Sequence, residues 1–168
     1  MKIKKQILIL LFLCLPFLLN AFEGVNTLGF DFKIGQNAND FDLGLGFTTP
    51  YFANQVVAFR IDCDAGFRAV SWKPYLLTSF VVTAGNFMKT ANIRLYGGGG
   101  VILAFPFEKE TKPLSVGGQG FLGFEFFFTE KKGGAYFFEL GGNGIKNIGG
   151  ISLNGFMIKT GLRYYIGL

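Results

Sequence analysis

Charged residues and large apolar residues keep to opposite parities along most of this chain, and that two-residue period narrows its possible folds more than any other feature. Successive side chains of a strand point to opposite faces, so a period of two marks a strand with two unlike faces, whereas an amphipathic helix repeats every 3.6 residues. Leu28, Phe30, Phe32 and Ile34 alternate with Gly29, Asp31, Lys33 and Gly35. Phe41, Leu43, Leu45 and Phe47 then alternate with Asp42, Gly44, Gly46 and Thr48. The run Gln36-Asn37-Ala38-Asn39-Asp40 between them is rich in turn formers, so the two segments predict a hairpin.

Six further strands follow. The third, about 55–68, sets Val57, Phe59, Ile61, Cys63, Ala65 and Phe67 against Arg60, Asp62, Asp64 and Arg68, and Trp72-Lys73-Pro74 breaks the pattern. The fourth, about 75–84, has no charge and no distinct apolar face. The fifth, 91–105, puts Ile93, Leu95, Val101, Leu103 and Phe105 opposite Arg94, Tyr96 and Ala104. The sixth, 115–128, alternates Leu122, Phe124, Phe126 and Phe128 with Gln119, Gly123 and Glu125. In the seventh, Tyr136, Phe138 and Leu140 face away from Ala135, Phe137 and Glu139. The eighth, 153–168, sets Phe156, Ile158, Leu162, Tyr164, Ile166 and Leu168 against Met157, Lys159, Gly161, Arg163 and Tyr165. Short connections between eight strands predict an all-β fold, a closed antiparallel up-and-down β-barrel, because closure removes the edges that invite aggregation.

With faces assigned from the apolar residues alone, all twelve strand charges fall on the other face: Asp31, Lys33, Asp42, Arg60, Asp62, Asp64, Arg68, Arg94, Glu125, Glu139, Lys159 and Arg163. A secreted soluble barrel of lipocalin type has the same period inverted, so alternation does not decide which face is inside. Glycine favours one answer. Gly29, Gly35, Gly44, Gly46, Gly66, Gly98, Gly100, Gly117, Gly123, Gly141 and Gly161 share the charged face, where a water-facing surface would carry Lys, Glu, Thr and Ser. A narrow interior must mix large and small residues. The expectation is a transmembrane barrel with charges inside and apolar residues on lipid. Its lumen set sums to zero charge, six acidic against six basic, which predicts cross-strand ion pairs filling the interior; ion selectivity favours an excess of one sign. Aromatics near strand ends fit interfacial belts, with Trp72, Tyr75, Phe105 and Phe107 at one rim and Tyr51, Phe52, Phe87, Tyr164 and Tyr165 at the other.

Residues 1–21 read as a signal peptide, with Lys2, Lys4 and Lys5 ahead of an apolar stretch from Ile7 to Leu19 and a small residue, Ala21, at the cleavage point. That stretch is short of the roughly 20 residues a spanning helix needs. Cys14 lacks the small residue a lipoprotein signal places before it, since Leu13 stands there. The leader accounts for three of the sixteen basic residues and none of the eleven acidic ones, so the basic balance largely leaves with it and gives no case for a nucleic-acid partner. Residues 22–168 then form one domain, the barrel, in which Cys63 has no partner for a disulfide.

In size, secretion signal and strand number the chain resembles the small eight-stranded outer-membrane barrels of the OmpX, OmpW and OmpA-transmembrane-domain type. The most specific part is the last strand: Phe156, Ile158, Leu162, Tyr164, Ile166 and Leu168 look like the alternating end signal read by the barrel-assembly machinery. The resemblance implies outer-membrane lipid and that machinery as partners, and the bacterial outer membrane as location.

Chemistry is sparse. Without histidine the chain lacks the usual general base and most zinc ligand sets, so no enzyme and no cofactor is expected. Asp62 and Asp64 share a face as a carboxylate pair, but Arg60 and Arg68 share it too, which favours salt bridging. Gly118, Gly120 and Gly123 match a dinucleotide fingerprint, yet they lead into Phe124-Glu125-Phe126, a strand rather than the required helix. With both strand termini in the periplasm, the outer connections are about 36–40, 69–74, 106–114 and 143–152, all short. The reading is a membrane barrel with a filled polar lumen and a structural or surface-contact role, any host ligand being unknown. A narrow pore, an OmpW-like conduit for small molecules and the soluble barrel are the alternatives.

Overall fold

The computed structural model describes residues 27–52, 56–68, 74–88, 91–107, 114–128, 133–145 and 153–167. The expected leader 1–21, Trp72, Leu168 and most of the expected 69–74, 106–114 and 143–152 connections lie outside them. Eight strands occur in chain order: β1 Thr27–Asn37, β2 Asp40–Thr48, β3 Val57–Phe67, β4 Pro74–Met88, β5 Ile93–Pro106, β6 Ser115–Phe127, β7 Gly134–Ile145 and β8 Leu153–Gly167. Each pairs antiparallel with the next and β8 closes on β1, giving the expected barrel. The positions paired with Asp31 run through Gly46, Asp62, Ser79, Ile102, Gly117, Ile145 and Leu153, and the circuit returns to β1 ten residues further on. Eight strands with that stagger tilt by about 40° and enclose a space just wide enough for side chains.

The apolar parity faces outward. Leu45 and Leu122 are 63% and 69% exposed, and Phe30, Phe32, Phe59, Ile61, Phe80, Phe124, Phe126 and Phe156 join them. Among the described residues no strand carries a charge on that outer face. An exterior of this kind suits a lipid surface and not water, so the inverted, soluble arrangement is excluded.

Three elements differ from the sequence expectation. The β1–β2 connection is tighter than 36–40: the strands run on to Asn37 and from Asp40, leaving a turn at Ala38 and Asn39, with Ala38 at φ 54°. β4 runs four residues past 84, to Met88. Gly85 and Asn86 resemble a turn but pair with Tyr96 and Leu95. β7 runs past Leu140 through Gly141-Gly142-Asn143-Gly144 to Ile145, paired on both sides. A tract with so few side chains shows no alternation, yet its backbone completes the ladders. The Gly97–Gly100 run and the Gly118–Gly123 motif are likewise continuous strand.

Inward glycines sit directly across the ladder from several large lumen side chains. Gly66 pairs with Tyr75, Gly123 with Tyr96, Gly98 with Phe121, Gly161 with Lys33, and Gly46 with both Asp31 and Asp62. A Cβ on Gly46 would lie 2.7 Å from Asp62 Oδ1 and 2.8 Å from Asp31 Oδ2. Outward glycines have room, since a Cβ on Gly118 would come no closer than 3.6 Å to any neighbour. Adjacent residues give a test. Gly117→Ala drives its methyl onto the Gly144 carbonyl and to 2.7 Å from Ile145 Cα, and is expected to destabilise by about 1–3 kcal/mol. Gly118→Ala should be close to neutral, read as urea unfolding midpoints in detergent micelles.

Candidate functional site in the barrel lumen

Inward-pointing charges form one connected chain. Asp42 lies 3.9 Å from Lys159 Nζ, which is 2.5 Å from Asp64. Lys33 Nζ bridges Asp64 at 3.1 Å and Asp62 at 2.7 Å. Arg60 continues from Asp62 at 3.1 Å to Glu139, which it grips with both terminal nitrogens at 2.5 and 3.1 Å. Arg163 stands 4.0 Å from Glu139, binds Asp31 through Nε and Nη2 at 2.5 and 2.8 Å, and reaches Glu125 at 2.9 Å. Arg94 ends the line, 3.5 Å from Glu125. Acid and base alternate at every step, with Asp31 as a branch, and seven of the eight strands contribute. None of these eleven residues is more than 5% exposed.

This is why the strands carry charge on alternate positions only: any of these groups moved one residue along would face outward. An ion taken out of water costs several kcal/mol, and attraction offsets that only where every charge has partners with good geometry. Two-handed arginine–carboxylate grips, as at Asp31 and Glu139, are the strongest such contacts. Phenols add to them: Tyr96 donates to Glu139 at 2.7 Å and Tyr165 to Glu125 at 2.5 Å. Asp62 and Asp64 are not a free carboxylate pair, because Lys33 joins them.

Arg68 departs from the twelve-residue set. It lies just beyond β3, half-buried at the mouth, so the buried chain holds six carboxylates against five bases. Asp42 is paired with Lys159 alone among the described residues, at 3.9 Å, and accepts a hydrogen bond from the Asn37 amide; Asn143 extends this polar group by donating to Asn37 at 2.6 Å. Of the residues read as an end signal, Phe156, Ile158, Leu162, Tyr164 and Ile166 line the outer face of β8, and Leu168 lies outside the described residues.

Another part of the lumen wall is apolar. Tyr75 and Leu77 of β4, Ile102 and Ala104 of β5, Ile145 of β7 and Leu153 of β8 pack together. Val81, Tyr96, Phe121 and Met157 form a second group below them. β4 thus has apolar residues on both faces, which is why its sequence showed no distinct one. Phe121, Phe127 and Phe137 also point inward. Of the expected rim aromatics, Phe52, Phe105, Phe107 and Tyr164 face out, while Tyr51, Tyr75, Phe87 and Tyr165 turn into the barrel.

Tyr51 gets there by a bulge. Thr48 pairs with Arg60 and Phe52 with Val57, four steps on one side against three on the other. The extra residue, beside Pro50, reverses the parity and aims Tyr51 inward. Sequence parity could not show this, although Tyr165, two residues from Arg163, carried the signal of an inward position.

The fold is that of the small eight-stranded outer-membrane β-barrels. Solved structures that share it include the N-terminal β-barrel domain of OprF from Pseudomonas aeruginosa, with a TM-score of 0.67 at 14% identity over 86% of this chain and 100% of that one, and the outer membrane protein OprG from Pseudomonas aeruginosa, with 0.62 at 12% identity over 86% and 98%. No family model and no curated protein matches the sequence.

The ion-pair chain makes an asymmetric prediction. Arg60→Ala takes from Glu139 its two-handed grip and from Asp62 one of its two bases and should cost about 3–5 kcal/mol, whereas Arg60→Met combined with Glu139→Leu should recover most of that loss. Equilibrium unfolding of the two variants in the same micelles measures the difference.

Proposed function

We propose that this chain is an integral outer-membrane barrel that stands closed and acts as a structural or surface-contact element rather than as a pore. The observation that carries the reading is the alternating chain of eleven buried charges from Asp42 to Arg94. A conducting lumen would hold water along such a path, and its charges would be solvated and of one predominant sign. Here acid and base alternate, six carboxylates against five bases. Residues 1–21 direct secretion, both strand termini face the periplasm, and the outward residues of β8 from Phe156 to Ile166, with Leu168 after them in the sequence, serve the assembly machinery. The short outer turn at Ala38 and Asn39 offers little surface, which suits a modest contact role better than elaborate adhesion. No catalytic role is proposed.

A conduit for small apolar molecules is the second reading, favoured by the apolar wall of Tyr75, Leu77, Ile102, Ile145 and Leu153. These side chains are 0–2% exposed and pack on one another, so a conduit requires them to part. Planar-bilayer recording distinguishes the readings. The closed barrel is expected to give no steady unitary conductance. Arg163→Ala, by freeing Asp31 and Glu125, should bring intermittent conductance steps. Steady steps from the unmodified chain would refute closure, and a chain that stays dissolved without detergent would refute the membrane barrel itself.

A further inference from the structure

Arg94 is held less completely than any other arginine of the lumen. Its Nη1 is 3.5 Å from Glu125 and donates to the Tyr51 hydroxyl, while its Nη2 is buried with no hydrogen-bond partner among the described residues. The residue is 5% exposed. A buried donor left unsatisfied is costly, so a guanidinium edge in this state marks a place that an acceptor would stabilise.

That edge lies at the end of the barrel where β1 begins and β8 ends, in an aromatic surround. Arg94 Cζ sits 4.0 Å from the centre of the Tyr51 ring and 5.2 Å from that of Tyr96. Tyr51 packs with Ala58, Phe127, Ala135 and Tyr165, with Phe87 against the group, and its hydroxyl is 3.2 Å from that of Tyr165. Yet Tyr51 belongs to no strand. It is carried on the bulged connection after β2, which is tied down on either side of it by Thr49 N–H to Phe59 at 2.9 Å and Phe52 N–H to Val57 at 2.8 Å. The walls belong to the barrel; the ring that fills the space between them belongs to a connection.

We propose that this mouth is a binding pocket for a small aromatic carboxylate, and that Tyr51 occupies it as a resident stand-in. A planar ring of similar size replaces the Tyr51 ring against Phe127, Phe87 and Tyr165. Its carboxylate takes both edge nitrogens of Arg94, satisfying Nη2, which a phenol with one oxygen leaves unpaired. Glu125 does not repel the incoming anion strongly, because Arg163 and Tyr165 already hold it at 2.9 and 2.5 Å. The pocket does not depend on whether the lumen conducts.

The test is calorimetric titration of 4-hydroxybenzoate into the chain refolded in detergent, folding being checked first by its heat-modifiable migration on gels. Tyr51→Ala empties the pocket and should bind at least tenfold more tightly than the unmodified chain, in which the ligand must displace the ring. Tyr51→Phe loses the hydroxyl contacts to Arg94 and Tyr165, keeps the packing, and should fall between them; it serves equally if the alanine variant does not fold. Adding Arg94→Gln to either variant should weaken binding tenfold or more. Absence of binding to both Tyr51 variants, equal affinity with Arg94→Gln, or an unmodified chain that binds as tightly as the variants would each overturn the proposal.

Discussion

Eight strands enclose very little volume, and the interior of this barrel is organised around that limit. Eleven buried ionisable side chains, with the lumen tyrosines and phenylalanines, share a space that side chains alone must fill. They fit because the wall thins opposite them: glycine stands across from Lys33, Asp31, Asp62, Tyr75, Tyr96 and Phe121. The glycines therefore do not mark flexible wall. They are the complement of the ion-pair chain, and either set without the other would leave a void or a collision.

The same limit explains the order of the charges. Each buried carboxylate needs at least one base beside it, and the shortest way to supply that is a line in which signs alternate. Contributions from seven strands lock the register of nearly every ladder, because a one-residue slip would carry a charge to the lipid face. The energetic role is thus specification more than stabilisation: a barrel of the same volume filled with apolar residues could be as stable, but its strands would pair with less discrimination.

Most of this was legible in the sequence where a strand has two different faces. The parity of Asp31 and Lys33 in β1, or of Glu125 in β6, read the lumen directly. Legibility failed where the two faces are alike. β4 meets lipid outside and the apolar wall inside, so Leu76 and Leu77 look the same in sequence while pointing oppositely. The β7 tract Gly141–Gly144 has almost no side chains to alternate. Arg68 obeyed the parity but lies beyond the last paired residue of β3, where parity no longer decides burial. Tyr51 was misread for a different reason, a bulge that only the pairing of Phe52 with Val57 reveals.

A lumen built this way leaves little freedom in its middle. Each charge between Lys159 and Arg163 has at least two partners, and Lys33, Tyr75, Tyr96 and Phe121 each face a glycine, so a change there disturbs several contacts at once. The ends are less constrained. At one, Asp42 has a single ionic contact at 3.9 Å and the amides of Asn37 and Asn143 beside it. At the other, Arg94 has one carboxylate at 3.5 Å and a nitrogen with no partner among the described residues, under a tyrosine borrowed from a connection. Both ends of an alternating chain are necessarily underpaired, because a terminal charge has a neighbour on one side only. The two mouths, where the chain stops, are therefore the places at which an outside group would have a missing partner to supply, which is the basis of the pocket proposed at Arg94.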